Sequence, residues 1–352
     1  MIIDSHRGPY SAAFDTDALE NLNAEIPTNA HFLIDRHVAE LYADTIGNVL
    51  DAGSVLKIDA RESNKSLDRM PDYVAHLVAN GVRRDHVLIA IGGGIIQDIT
   101  CFLAATLLRG IDWKFYPTTL LAQADSCIGS KSSINAGTDK NILGTFTPPR
   151  EVLISTRVLE TLDEQDLRSG VGEMLKVHAI DGTNTFAQIS EDYDRLFSAA
   201  DVMMRYIRRS LEIKKAYIET DEFDRGPRNI FNYGHSFGHA IEAATDFAIP
   251  HGIGVTIGMD MANFVSGETG FGDKSLHGAR HGILKRNFRG FEDCPVPVDA
   301  FLNAISKDKK NVGTELMLIL PDKDARLQKT PCANDGRFRE LCTVYLEEAR
   351  AA

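Results

Sequence analysis

The chain reads as two domains of different class, an α/β N-terminal half over 1–160 and a mainly α-helical C-terminal half over 161–352. Two observations predict this. Up to about residue 160, short apolar runs alternate with amphipathic stretches, the pattern of parallel strands joined by crossover helices. From Thr161 onward helical periodicity dominates and strand-like runs almost disappear. With 352 residues, 43% of them hydrophobic, each half can bury its own core.

In the first half HFLID (31–35), SVLKID (54–59), HVLIAI (86–91), WKFYP (113–117) and EVLIS (151–155) predict strands, being four to six residues long and rich in Val, Ile and aromatics. Helical patterns fill 70–80 and 98–109. In the second half Thr161 followed by Glu164 matches a capping box at a helix start. Helices are predicted over 163–180, 198–221, 229–245, 251–267 and 298–307. ELMLILP (315–321) predicts a strand with a partner near Arg326, and the final RFRELCTVYLEEARAA a helix for packing or an interface.

A net charge of −12 excludes a nucleic-acid binder, which needs a basic face, so an anionic substrate requires a local cluster of cations. The start MIIDSHRGPY lacks the basic and long apolar segments of a signal peptide. No apolar run approaches the roughly 20 residues that span a bilayer, which predicts a cytoplasmic protein without a membrane partner. Cys101, Cys127, Cys294, Cys332 and Cys342 are scattered and form no C-x-x-C pair, so free buried thiols are expected.

Three segments carry chemistry. After HVLIAI come Gly92, Gly93 and Gly94 and then a helical pattern, a strand–glycine–helix junction that suits a pyrophosphate at a helix N-terminus. Its spacing is not G-x-G-x-x-G and its strand is third in order, so the standard dinucleotide fold is not implied. PTTLLAQADSCIGSKSSINAGTDKNILGTF follows, small and hydroxylated, with Asp125, Lys131, Lys140 and Asn141. It lies between strands expected to be buried, unlike an ordinary solvated loop. In LRSGVGEMLKVHAI, Glu173 and Lys176 share a helical face, as a surface ion pair or as a metal carboxylate beside a substrate cation.

The most pointed pattern is Arg228, just before the helix predicted over 229–245, with Asn232, His235 and His239 within it, at spacings of four, three and four that share one helical face. His251 follows a short loop ending in Pro250. Three imidazoles within 17 residues point to a metal or to acid/base chemistry. A catalytic zinc takes three protein ligands and keeps one open position, so a third ligand is still to be assigned beside the i, i+4 pair.

Taken together, GGGIIQD, AATLLRG, PTTLLAQADS, KNILGTF, GEMLK, NYGHSFGHAIE, HGIGVTIGM and SKDKKNVG make the chain resemble the 3-dehydroquinate synthase family of sugar phosphate cyclases, from about Asp59 to Pro321. The resemblance implies one NAD and one zinc per subunit, with cobalt a workable substitute, and a phosphorylated sugar or sugar acid as substrate. It implies zinc ligands Glu173, His235 and His251, which leaves His239 for substrate phosphate and proton transfer. It implies NAD contacts from Asp35, Glu62, Lys65, Gly93, Gly94, Asp98, Thr118, Thr119, Asp125 and Lys140. Substrate contacts would be Asp125, Lys131, Asn141, Lys176, Lys214, Arg228, Asn232, His239 and Lys309, with Arg109 reaching the phosphate of the partner subunit in a homodimer.

The family's reaction oxidises a hydroxyl by transient hydride transfer to NAD, eliminates phosphate, returns the hydride and closes a carbocycle by intramolecular aldol addition. Against the family's usual pattern, Gln97 replaces Gly, CIGSKSS replaces SVGGKTG, Ser155 replaces Asp, and HGIGVTIGM lacks the Glu after its first Gly. Some members act on glucose 6-phosphate, sedoheptulose 7-phosphate or an amino analogue, giving 2-deoxy-scyllo-inosose, valiolone-type or amino-dehydroquinate products. Arg228 favours the carboxylated heptulosonate phosphate, since a guanidinium suits a carboxylate. A metal-dependent, NAD-linked polyol dehydrogenase is the competing class, but it has no use for four cations around one substrate.

Overall fold

A computed structural model describes residues 1–137, 139–307, 311 and 315–352. Its contacts divide the chain into two compact units, Met1–Leu162 with Lys214–Asp224, and Asp163–Ile213 with Arg225–Ala352. This differs from a single division after residue 160, because the segment Lys214–Asp224 packs with the first unit.

The first unit runs β1 (Ile2–Ile3), β2 (Tyr10–Phe14), α1 (Ala18–Ala24), β3 (Ala30–Asp35), α2 (Arg36–Leu41), α3 (Gly47–Leu50), β4 (Val55–Ile58), α4 (Met70–Ala79), β5 (Val87–Gly92), α5 (Gly94–Thr106), β6 (Asp112–Pro117), β7 (Lys131–Ala136), β8 (Asp139–Phe146) and β9 (Glu151–Ile154). Seven strands form one sheet in the order β1-β2-β9-β6-β5-β3-β4, parallel except for the β1–β2 pair. Every residue of β5 is buried, which is why HVLIAI is continuously apolar rather than alternating. Phe32, Ile34, Ile89, Ile91 and Tyr116 build the core on one face, with Leu19, Leu22, Val38 and Val49 packed on them.

All five expected strands are present. β1 and β2, which are short or built of small residues, and the β7–β8 hairpin, whose polar alternation resembles a loop, are additional to them. Helix α5 starts at Gly94 and not at the expected 98, so the third glycine of the turn is the first residue of the helix. The helix stops at Thr106, because Leu108 and Arg109 adopt positive φ (52° and 72°) in the following turn.

Chain order reverses between β3 and β5: β4 follows β3 on one side, while β6 follows β5 on the other. Open α/β sheets bind ligands at the carboxyl ends of strands at such a switch point. Here those ends carry Asp35 and the Gly92–Gly94 turn.

The second unit contains α6 (Glu164–Asp181), α7 (Thr183–Glu191), α8 (Tyr193–Leu196), most of α9 (Ala200–Thr220), α10 (His235–Ala244), α11 (His251–Glu268), α12 (Ser275–Asn287), α13 (Val298–Ser306), the antiparallel pair β10 (Glu315–Pro321) and β11 (Leu327–Ala333), and α14 (Gly336–Val344). The cap of α6 is not the expected capping box: the Asp163 carboxylate accepts from the Asp166 N–H at 2.8 Å, and the Thr161 hydroxyl instead donates to the Val158 carbonyl. The helix expected over 229–245 is broken in two. A 3₁₀ turn, Pro227–Asn232, is followed by Gly234 at φ 77°, and α10 begins only at His235. Arg228 and Asn232 are therefore not on one helix with His235 and His239.

Packing around the break admits only glycine. A Cβ at Gly234 would lie 2.6 Å from the Val255 carbonyl oxygen, and one at Gly258 would lie 2.0 Å from the Gly234 oxygen. One at Gly252 would lie 1.9 Å from the Ser169 oxygen. Glycine lets α11 meet α6 on one flank and α10 on the other at backbone contact.

The five cysteines are free, but Cys294 and Cys332 are only half-buried. Burial pushes the Cys101 and Cys127 thiols up to about 12, so they are inert thiols. Among the described residues no helix is long and apolar enough to cross a membrane.

Candidate functional site

In the first unit the glycine turn is tightly specified. A Cβ on Gly93 would come within 2.9 Å of Thr119 Cγ2, whereas one on Gly94 would meet nothing within 4 Å. The Thr118 N–H donates to the Gly92 carbonyl at 2.9 Å, which fixes the β6 end beside the turn. The opening at Gly94, at the N-terminus of a 13-residue helix, fits the pyrophosphate of a dinucleotide. Asp35 stands beside it, its carboxylate capping α2 through the His37 N–H at 3.0 Å; burial raises its pKa.

Next to the turn, the buried Lys65 ammonium reaches Asp98 Oδ2 (3.2 Å), Glu62 Oε1 (3.3 Å) and Asn141 Oδ1 (2.9 Å). Burial pushes the Asp98 carboxyl up despite Lys65. Burial acts on Glu62 in the same direction, but Lys65, the Asn135 hydrogen bond and Lys140 outweigh it and hold Glu62 below the usual carboxylate range. Asn135, which the sequence reading did not single out, ties the group together: its amide donates to Glu62 Oε1 at 2.9 Å and its oxygen accepts the Asn141 N–H at 2.9 Å. Asn141, expected among the substrate contacts, thus stands with the residues expected to hold NAD.

Asp125 sits on a π-helical turn, Ala122–Ser126, and pairs with the buried Lys214 at 2.7 Å. Gln97 explains its own departure from glycine: its amide donates to the Ser126 carbonyl and its oxygen accepts the Ser126 hydroxyl, both at 2.6 Å, latching α5 to the turn that carries Asp125. The exposed Lys131 pairs with Asp224 at 2.6 Å, an acid that no sequence pattern marked. Ser155 donates to the Thr16 carbonyl at 2.6 Å. Arg109 and Lys140 are exposed.

In the second unit Glu173, on the buried middle of α6, faces two imidazoles. Its Oε1 lies 3.8 Å from His235 Nε2 and 3.5 Å from His251 Nε2. Donors bonded at about 2.1 Å to one tetrahedral ion are about 3.4 Å apart, so the spacing fits a zinc-sized cation. Orientation agrees: His235 Nδ1 engages the Tyr233 carbonyl at 3.3 Å and His251 Nδ1 engages Glu242 at 2.8 Å, which leaves both Nε2 atoms toward Glu173.

Burial would lower the His251 pKa, yet Glu242 and Glu173 raise it. His239 completes a triangle of rings, 5.3 Å from His235 and 5.5 Å from His251 by centroid, and is itself exposed. The three imidazoles can also approach one ion together.

Lys176 pairs with Glu173 Oε2 and lies over the Phe231 ring. Of the two readings of this pair, burial excludes the surface one: both side chains are 2% exposed. Arg228 is buried, and Asn232 donates to the Asn229 carbonyl at 3.0 Å. Glu242 was missed, although it follows His235 by seven residues, two helical turns on the same face. Lys309 lies outside the described residues.

These parts are an α/β unit with a glycine turn at a helix N-terminus and a helical unit with a carboxylate–imidazole set spaced for a metal ion. The N-terminal pattern of 3-dehydroquinate synthase matches residues 55–169 and the C-terminal pattern residues 170–311. The 3-dehydroquinate synthase of Alkaliphilus metalliredigens is 34% identical over 301 residues, 84% of this chain and 85% of that one. Among solved structures, 2-epi-5-epi-valiolone synthase from Streptomyces hygroscopicus, with NAD+ and Zn2+ bound, superposes with a TM-score of 0.83 at 25% identity over 97% of both chains. A 2-deoxy-scyllo-inosose synthase complexed with carbaglucose-6-phosphate, NAD+ and Co2+ shares the fold, with a TM-score of 0.82 at 22% identity over 99% of both chains. The chain belongs to the 3-dehydroquinate synthase family, a family of lyase-type, carbocycle-forming enzymes.

Proposed function

We propose that this protein is an NAD- and zinc-dependent sugar phosphate cyclase that converts 3-deoxy-D-arabino-heptulosonate 7-phosphate to 3-dehydroquinate and phosphate, a step of the shikimate pathway. The observation that carries the proposal is Glu173 at tetrahedral spacing from two imidazoles whose Nδ1 atoms are already engaged. It occurs in a chain 34% identical to a curated 3-dehydroquinate synthase.

Glu173, His235 and His251 would hold the zinc. Asp35, Glu62, Lys65, Gly93, Gly94, Asp98, Thr118, Thr119, Asp125 and Lys140 would hold NAD. When bound, zinc polarises a substrate hydroxyl and NAD takes up and returns one hydride, so no net oxidation occurs. The remaining work belongs to side chains. Lys176 fixes the Glu173 carboxylate and presents its charge to substrate oxygens. Arg228 receives the substrate carboxylate, with Asn232 beside it. Lys131, Lys214, Asp125 and Asn141 orient hydroxyls and phosphate, and His239 moves the proton as phosphate leaves. We further propose a cytoplasmic homodimer in which Arg109 serves the partner's substrate phosphate.

The test is phosphate release by the zinc-loaded protein with NAD, offered 3-deoxy-D-arabino-heptulosonate 7-phosphate, glucose 6-phosphate and sedoheptulose 7-phosphate in parallel, with products identified by mass. Release from the carboxylated substrate alone is expected. Release from a neutral sugar phosphate alone would retain the cyclase and overturn the substrate and the role of Arg228, and steady NADH accumulation from a polyol would overturn the class.

A further inference from the structure

Away from Glu173, Asp260 is the one carboxylate in the buried middle of α11. Asp260 is fully buried. Two histidines at i, i+4 on α12, His277 and His281, converge on it with ring centroids 5.0 Å apart and side chains 20% and 15% exposed. Asp260 Oδ2 accepts from Tyr345 OH at 2.8 Å and meets His281 Nδ1 at 2.9 Å.

The other carboxylate oxygen, Oδ1, is buried and has no hydrogen-bond partner among the described residues. It faces His277 Nε2 at 3.4 Å, and that nitrogen is also buried with no hydrogen-bond partner among the described residues. Leaving both atoms unsatisfied in a low-dielectric interior is costly. A separation of 3.4 Å is long for a hydrogen bond but matches two ligands sharing one ion at about 2.1 Å bond lengths. One donor atom from each of Asp260, His277 and His281 lies within 4.8 Å of the others.

We propose that Asp260, His277 and His281 bind a second divalent transition cation of the zinc type, separate from the one assigned to Glu173, His235 and His251. Two imidazoles and one carboxylate form a borderline donor set suited to zinc or cobalt and unsuited to magnesium or calcium, which prefer all-oxygen shells. The ion neutralises the buried carboxylate and supplies the missing partner of Oδ1, while the partly exposed histidine edges give it a way in. Its role is structural. It joins α11, whose first residue is His251, to α12, and through Tyr345 to the turn after α14.

Metal content of the whole chain tests this. Protein stripped of metal, reloaded with zinc and dialysed is expected to hold two equivalents, and His277→Gln/His281→Gln one. In the intact wild-type chain, which avoids any folding defect of the variant, a cobalt titration followed by visible ligand-field absorption is expected to break at two equivalents. A wild-type break at one equivalent overturns the proposal, as does a second equivalent that the double variant keeps.

Discussion

In the first unit the ionisable groups of the site hold one another: Lys65 is shared by Glu62, Asp98 and Asn141, Lys214 is paired with Asp125, and Lys131 with Asp224. In the second unit position comes from backbone contact, with glycine letting α11 approach α6 and α10 until Glu173, His235 and His251 meet. A site held by a charge network can lose one member and adjust. A site held by helix contact cannot, because a displaced helix moves every ligand on it.

The sharpest break is Glu173→Gln, which removes the carboxylate proposed to hold zinc at nearly constant volume. Phosphate release should fall by about 1,000-fold or more, with loss of one zinc equivalent by metal analysis. Glu242→Gln leaves the three ligands in place but weakens the group that orients His251. Zinc affinity should drop by roughly 10- to 100-fold while circular dichroism is unchanged, and an unchanged affinity would show that α11 alone positions the ring.

A matched pair of glycine substitutions bears directly on the contrast. Gly252→Ala drives a methyl into the Ser169 carbonyl and should cost about 1–3 kcal/mol or more in urea unfolding. Gly94→Ala meets open space, so stability should hold within about 1 kcal/mol while NAD affinity falls. Equal destabilisation by the two would remove the distinction between the units.

The smallest effect is electrostatic. His178 is buried on α6 with Nδ1 at 2.7 Å from the Met174 carbonyl, and burial lowers its pKa to about 4. The unfolded chain takes up that proton near 6.5 and the folded chain resists it, so the stability involved is complete above about pH 6.5 and is lost as pH falls toward 4. Between pH 7.5 and 5.5 the loss should be about 1 kcal/mol. Urea midpoints measured across that range should flatten in His178→Gln.

Much of the site was legible because its chemistry is written in residue types. The glycine turn after a buried strand and the run of imidazoles are unusual wherever they occur, whereas the Glu173–Lys176 pair reads equally as surface or interior until its burial is seen. The errors came where a local pattern had to compete with a remote neighbour. The periodicity from 229 to 245 is continuous, yet the chain turns at Gly234 with φ 77°, where the Val255 carbonyl leaves no room for a side chain. Gln97 and Asn135 look like ordinary polar residues until Ser126 and Glu62 are placed beside them.

By itself the sequence determined the class of each half, since burial of apolar side chains at periods of 2 and 3.6 is a local property of the chain. It also determined the family, and supplied the imidazoles, carboxylates and cations from which the proposed site is drawn. Tertiary structure alone decided which of them meet. It set Glu173 against His235 and His251, gave His251 its Glu242, and placed Asp260 beneath His277 and His281. Those pairings span from 9 to 78 residues of chain, and distances over such intervals are set by the packing of whole helices, which no local pattern encodes.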